Sequence, residues 1–119
     1  MILYGETRVF DKKQLLKLVD HDKELLHSII EIYKSEWPTA IDDIESHLNK
    51  KDLLEAEKLA HKLKGSLKNF YAQEGIVVAQ ALEGACHNKD LEVAKQELVK
   101  LKPLCEKLEK ELILSADEI

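Results

Sequence analysis

Residues 91–112 have the sequence LEVAKQELVKLKPLCEKLEKEL. Apolar side chains recur in this segment at alternating spacings of three and four residues, at Leu91, Ala94, Leu98, Leu101, Cys105, Leu108 and Leu112. Because an α-helix completes a turn in about 3.6 residues, this spacing places them along one side of a helix. So narrow an apolar stripe is typical of a helix that packs lengthwise in an antiparallel bundle. Pro103 lies within the stripe and predicts a kink, because its ring displaces the backbone hydrogen bond to Val99.

Aspartates mark the predicted starts of this helix and of others before it. Each precedes an apolar stripe of helical spacing and is expected to act as an N-cap. The predicted caps are Asp11, Asp22, Asp52 and Asp90. The helix after Asp22 is long and contains Pro38, where a helix starts or kinks. Residues 73–75, Gln-Glu-Gly, are predicted to separate the helix after Asp52 from a shorter one.

The composition agrees with long helices joined by few loops. Four Gly and two Pro in 119 residues are too few for an all-β domain, which needs such residues at turn after turn. We predict an all-α fold, an antiparallel four-helix bundle with a short accessory N-terminal helix. The whole chain, 1–119, is expected to form one domain with its core bundle at about 22–115.

Charge and hydropathy exclude several classes of protein. The chain has 18 Lys and Arg against 23 Asp and Glu, and a net charge of −5 repels the backbone of nucleic acids. No apolar run approaches the roughly 18 residues of a membrane span, and no signal peptide is recognisable at residues 1–10. Cys86 and Cys105 do not form a CxxC motif and are interpreted as reduced core residues. These features favour a cytoplasmic protein with neither a nucleic-acid nor a membrane partner.

The helix predicted after Asp52 carries the candidate site. On a helical wheel, its apolar positions fall within an arc of roughly 100°. They are Ala56, Leu59, Ala60, Leu63, Leu67 and Phe70. His61 projects about 155° away from the centre of this arc and is therefore expected to face solvent. Its neighbours on the exposed side are Leu54, Glu57, Lys58, Lys64, Gly65 and Lys68.

Several features distinguish this exposed side from an ordinary polar surface. Between Lys58 and Lys68 there are four lysines and no acid, although the protein is acidic overall. Gly65 costs about 1 kcal/mol in an exposed helix relative to Ala. Leu54 is an apolar side chain on the wet side of the helix. An imidazole, whose ordinary pKa is about 6.5, can carry a phosphoryl group on nitrogen, and nearby lysines would offset its charge. Gly65 would let a partner come close, and Leu54 would give it an apolar contact.

Residues 60–66, AHKLKGS, resemble the H-x-L-K-G-[SA] motif of histidine-containing phosphotransfer (HPt) domains. The likeness covers nearly the whole chain, including Phe10-Asp11 with Leu15-Leu16, residues 22–37, Leu82-Glu83 and residues 88–91. It implies a phosphorelay intermediate that accepts a phosphoryl group on His61 from one receiver-domain aspartate and passes it to another. Further residues are expected to lie near the phosphate or the partner, namely Lys64, Gly65, Lys68, Lys58, Lys62, Leu54 and Ser66.

The resemblance also implies partners and a division of labour. The partners would be response-regulator receiver domains and a hybrid sensor histidine kinase. Mg²⁺ is expected on the receiver, and this chain would be a phosphoryl carrier without a cofactor or kinase site of its own. At two positions the sequence departs from the family, which commonly has a small residue where Leu67 stands and Gly where Tyr71 stands.

Other interpretations of the sequence are weaker. Glu24 and His27 have the E-x-x-H spacing of di-iron bundles, but a second copy is missing and Glu24 points outward on the wheel. Glu83 and His87 make an equally weak metal pair, so no metal site is predicted. Since each apolar stripe is used within the bundle, a monomer is expected. The alternative function is a scaffold bundle that uses the same surface to bind a signalling partner without phosphorylation.

Overall fold

Helices make up nearly all of the chain that the structure describes. The computed structural model describes residues 10–117. The prediction that residues 1–10 contain no signal peptide concerns a segment that lies, except for Phe10, outside the described residues. The helices are α1 (Lys12–Leu18), α2 (Lys23–Asn49), α3 (Leu53–Asn69), α4 (Gln73–His87) and α5 (Leu91–Asp117). Within residues 10–117 there is no β-strand, which confirms the predicted all-α class.

All of the predicted aspartate caps form. The side chains of Asp11 and Asp22 each accept a hydrogen bond from the backbone N–H three residues later, both at 3.1 Å. Asp52 accepts one from Glu55 at 3.3 Å. Asp90 accepts one from Val93 at 3.2 Å. Each bond satisfies an N–H group that the first turn of a helix otherwise leaves without a partner.

α2 is continuous through Pro38, so the proline does not begin a new helix. Trp37 and Ile41, on either side of it, are buried in the core. We infer that the packing of these side chains offsets the backbone hydrogen bond that a proline within a helix removes. α5 likewise continues through Pro103.

The turns after α2, α3 and α4 share one geometry, with a single residue in the left-handed region. These residues are Lys51, Tyr71 and Lys89, with φ of 61°, 55° and 59°. In each turn the following residue donates its N–H to the carbonyl five residues earlier, at 2.8 to 3.2 Å. This is the Schellman arrangement, in which glycine usually occupies the left-handed position. Here non-glycine residues adopt it, which is consistent with the low glycine content.

The predicted break at residues 73–75 is wrong in its position. α4 already begins at Gln73, and Gly75 is buried within that helix. The chain turns instead at Tyr71, where the left-handed backbone costs a side-chain-bearing residue about 1–2 kcal/mol. This geometry explains why glycine is expected at position 71 from the family resemblance.

The four long helices pack in a ring. α2 contacts α3, α3 contacts α4, α4 contacts α5, and α5 contacts α2. The largest fully buried side chains fill the space between them, namely Leu26, Ile44, Leu48, Leu67, Leu82, Leu101, Leu108, Leu112 and Cys105. α3 and α4 therefore lie side by side and present a shared outer surface.

Two polar contacts connect α2 to α5 inside this ring. The Tyr33 hydroxyl donates a hydrogen bond to the carbonyl oxygen of Cys105 at 2.9 Å. Trp37 donates its indole N–H to the Glu109 carboxylate at 2.7 Å. Burial raises the pKa of the Tyr33 hydroxyl well above its usual range and that of the Cys105 thiol to about 11. Both groups are therefore neutral at physiological pH.

Gly75 accommodates the large Leu67 side chain where α3 meets α4. A Cβ atom at position 75 would lie 3.3 Å from Leu67 Cδ1, whereas one at Gly84 would meet no atom within 4 Å. We expect Gly75→Leu to lower the free energy of unfolding by about 1–3 kcal/mol through overpacking. The matched variant Gly84→Leu should leave it unchanged or raise it by up to about 1 kcal/mol, because Leu favours a helix over Gly. Urea unfolding of both variants tests this, and an equal effect at the two positions would contradict it.

Candidate functional site

α3 presents His61 to solvent on the side opposite the core. Its side chain is 68% exposed. The residues of α3 that are buried are Ala56, Ala60, Leu63 and Leu67. Leu59, predicted with them, is only half-buried. The helical register predicted for His61 is therefore confirmed.

A carboxylate from α4 connects His61 with Lys64. Nδ1 of His61 lies 2.8 Å from Glu83 Oε2, and Nζ of Lys64 lies 2.7 Å from Glu83 Oε1. Glu83 Oε1 is shielded from solvent. The Lys64 ammonium is close enough to form an ion pair with it, but the angles between the two groups do not meet those of a hydrogen bond. Two residues one turn apart on α3 thus share a single acidic group on α4.

The charge of Glu83 determines which nitrogen of His61 is free. The contact with Lys64 is the main cause that lowers the pKa of the Glu83 carboxyl, and the His61 hydrogen bond lowers it further against the opposing effect of burial. Glu83 is therefore a carboxylate at neutral pH and can only accept hydrogen bonds. In the neutral ring, Nδ1 of His61 is then the nitrogen that carries the proton, and the lone pair is on Nε2.

Lys64 is less exposed than the wheel predicts. Only 12% of its side chain is accessible, since the chain lies between α3 and α4 on its way to Glu83. The prediction that Lys64 is a freely exposed charge is therefore wrong. A wheel divides one helix into sides, but it does not show how far a neighbouring helix covers a residue at the boundary.

Leu54 and Gly65 have the surroundings expected of them. Leu54 is 65% exposed, an unusual environment for an apolar side chain on α3. Gly65 is exposed, and a Cβ atom placed there would meet nothing within 4 Å. The packing of the described residues thus gives no steric reason for a glycine at this point of the helix. Its cost of about 1 kcal/mol still suggests a requirement outside the fold.

The remaining predicted residues of α3 do not converge on His61. Lys58 is exposed and pairs with Glu55 at 3.7 Å, and Lys68 is exposed. Lys62 and Ser66 point to the α2 side, where they line a groove of about 310 Å³ together with Trp37 and other residues of α2. The contacts among the described residues therefore bring together His61, Lys64 and Glu83.

Glu83 is the residue of this site that sequence reasoning missed. In the sequence, Glu83 stands out only as part of the family resemblance and in a weak metal pair with His87. A usable signal was nevertheless present, because α3 and α4 form a hairpin around Tyr71. His61 precedes Tyr71 by ten residues and Glu83 follows it by twelve, so the two are expected at similar heights.

Two further properties of the described residues concern metal ions and membranes. In residues 10–117, no group of three or more His, Cys, Asp or Glu side chains is arranged to hold a metal ion. None of the helices in this range is both long and apolar enough to span a membrane.

Comparison with known proteins identifies the family. The family model described as "Hpt domain" matches residues 28–112, which include His61, Lys64 and Glu83. No curated protein and no solved structure matched the chain. Hpt domains are phosphocarrier modules of phosphorelays that interact with receiver domains and kinases of two-component systems. Since the match spans most of the chain and the motif begins with an exposed histidine, the chain belongs to the Hpt domain family.

Proposed function

We propose that this protein accepts a phosphoryl group on His61 from the aspartate of one receiver domain and passes it to that of another. The observation that carries the proposal is the state of the His61 ring. The side chain is exposed and its Nδ1 lies 2.8 Å from a carboxylate, so that in the neutral ring the lone pair is on Nε2. An oriented imidazole of this kind is a competent nucleophile at neutral pH.

The transfer exchanges one P–O bond for one P–N bond. The Nε2 lone pair attacks the phosphorus of the receiver's aspartyl phosphate, the bond from phosphorus to the aspartate oxygen breaks, and the aspartate leaves as a carboxylate. The proton on Nδ1 stays in place, so the ring becomes a cation that the Glu83 carboxylate balances at 2.8 Å. Passing the phosphoryl group on reverses these steps with the second aspartate.

The other parts of the proposal rest on the family resemblance and the packing. We propose that Mg²⁺ and the acidic pocket belong to the receiver, that a hybrid sensor kinase stands upstream, and that the carrier works as a cytoplasmic monomer without a cofactor of its own. The ring of helix contacts and the three short turns support an antiparallel four-helix bundle with α1 as an accessory helix, all within one domain.

Lys64 is proposed to support both the fold and the transfer. We expect Lys64→Ala to lower the free energy of unfolding by about 1 kcal/mol, because Glu83 loses its ion pair and the lysine stem loses its packing. Lys64→Met keeps the stem and removes only the charge. Both variants should transfer the phosphoryl group more slowly than wild type, but Lys64→Met should be closer to wild type in stability than Lys64→Ala. Thermal unfolding and phosphoryl transfer from a receiver measure the two effects. If Lys64→Met transferred the phosphoryl group at the wild-type rate, the charge of Lys64 would have no role in transfer.

Leu54 is proposed as an apolar contact of the receiver. We expect Leu54→Ser to weaken receiver binding by about five- to tenfold, because the buried leucine surface is lost. Val99 is a matched control, since it is 75% exposed but borders the groove between α2 and α5. Calorimetric titration with one receiver domain should show a loss of affinity for Leu54→Ser and not for Val99→Ser.

The proposal is tested by incubating the protein with a panel of receiver domains phosphorylated with ³²P. At least one receiver should transfer its label, which should then be lost in acid and kept in base, as expected of a P–N bond. Label that survives acid would indicate a serine ester such as one on Ser66. A receiver that binds tightly without ever transferring label would favour the alternative, a scaffold module.

A further inference from the structure

A second histidine–carboxylate pair lies beside the first, with the roles of the two helices exchanged. His87 of α4 places Nδ1 3.1 Å from Oε2 of Glu57 on α3. Glu57 precedes His61 by four residues and His87 follows Glu83 by four, so the pairs occupy successive turns of the same two helices. The family motif does not include either member of this second pair.

Glu57 is an unfavourable neighbour for a phosphorylated histidine. Side chains four residues apart on a helix are adjacent, and like charges at this spacing repel. A phosphoryl group on His61 carries up to two negative charges at neutral pH. From Lys58 to Lys68 the segment around His61 has no acidic residue, so Glu57 is the acid that immediately precedes it.

The structure holds the Glu57 carboxylate on the side of α4. Only 27% of this side chain is exposed. The pKa of the Cys86 thiol on α4 is raised mainly by burial and additionally by the negative charge of Glu57. The contact with His87, at 3.1 Å, thus holds the Glu57 carboxylate against α4, one turn along the two helices from the contact between His61 and Glu83.

We propose that His87 is a positioning residue for phosphoryl transfer, which acts by holding the Glu57 carboxylate away from His61. This inference deepens the proposed function and rests on it. His87 itself does not take the phosphoryl group. With its carboxylate held in this way, an acidic residue is compatible with a position one turn from the nucleophile.

The test is a double-mutant cycle in the full chain with two phosphoryl donors. His87→Ala frees the carboxylate and should slow labelling of His61 by about three- to fivefold, because two negative charges then face Glu57 one turn away. Glu57→Gln should remain within about twofold of wild type, and so should the double variant, because no carboxylate is left to repel the phosphoryl group. The donors are a phosphorylated receiver and phosphoramidate, a small anion that needs no docking surface.

The matched control is His47→Ala. His47 pairs with Asp52 at 3.2 Å in the same manner, but at the turn between α2 and α3. The variant His47→Ala should therefore be labelled on His61 at the wild-type rate. If the double variant is as slow as His87→Ala, or if His87→Ala is as fast as wild type, the positioning role is wrong. If no receiver labels the wild type but phosphoramidate gives the stated pattern on His61, the receiver-to-receiver function fails and the role of His87 stands.

Discussion

His61→Gln should reduce phosphoryl transfer to background while leaving the fold intact. Glutamine has no ring nitrogen that can carry a phosphoryl group, but its amide can still donate a hydrogen bond to Glu83. Since the His61 side chain is 68% exposed, we expect the free energy of unfolding to change by less than about 0.5 kcal/mol. The measurements are labelling by a phosphorylated receiver and thermal unfolding followed by circular dichroism.

Binding provides the internal control for this variant. An unphosphorylated receiver should bind His61→Gln nearly as well as wild type, because Leu54, Gly65 and the lysines are unchanged. Label that remains on the variant, or that moves to His21, His27, His47 or His87, would overturn the assignment of the acceptor. Loss of folding would mean that the imidazole contributes more to the packing of α3 and α4 than its exposure indicates.

Glu83→Ala should slow transfer by about tenfold. The variant loses the charge-assisted hydrogen bond that fixes the Nδ1 proton and balances the cationic ring, and about 1.4 kcal/mol of such an interaction corresponds to a factor of ten. Glu83→Gln is the informative comparison, because its amide oxygen can still accept the hydrogen bond from Nδ1. Glu83→Gln should recover part of the transfer rate, because its amide oxygen keeps the proton of His61 on Nδ1 but carries no negative charge to balance the cationic ring. Equal rates for the Ala and Gln variants would assign the whole effect of Glu83 to its charge.

Glu83 also predicts a dependence of stability on acidity. Its pKa is lower in the folded protein than the usual value of about 4.3, chiefly through the contact with Lys64. Such a group stabilises the fold above its unfolded pKa, and this contribution is lost as the pH falls through the folded pKa. Glu83→Gln should therefore lose less stability than wild type between pH 5 and the acid limit of folding. Urea unfolding at a series of pH values below about 5 measures the difference.

The local chemistry of the chain was sufficient to predict most of the helices and the exposure of His61, the proposed acceptor. An aspartate cap and the apolar spacing of a helix involve residues three or four apart, so Asp52, Ala60 and Leu63 already define the start and the buried side of α3. The same register places His61 opposite that side. The motif at residues 60–66 then identified the family, because it stands on an exposed helical surface where the fold alone gives no reason for it.

What only the tertiary structure decided depends on how α3 and α4 lie against each other. The rotation of each helix about its axis and the offset along it bring Glu83 to His61 and cover Lys64. The same packing pairs His87 with Glu57 and fits Leu67 over Gly75. Neither helix encodes these contacts by its own periodicity, since each contact joins residues far apart in the chain. The sequence by itself therefore determined which histidine is exposed on α3 as the candidate nucleophile, whereas the packing of a second helix determined which nitrogen of its ring contacts a carboxylate.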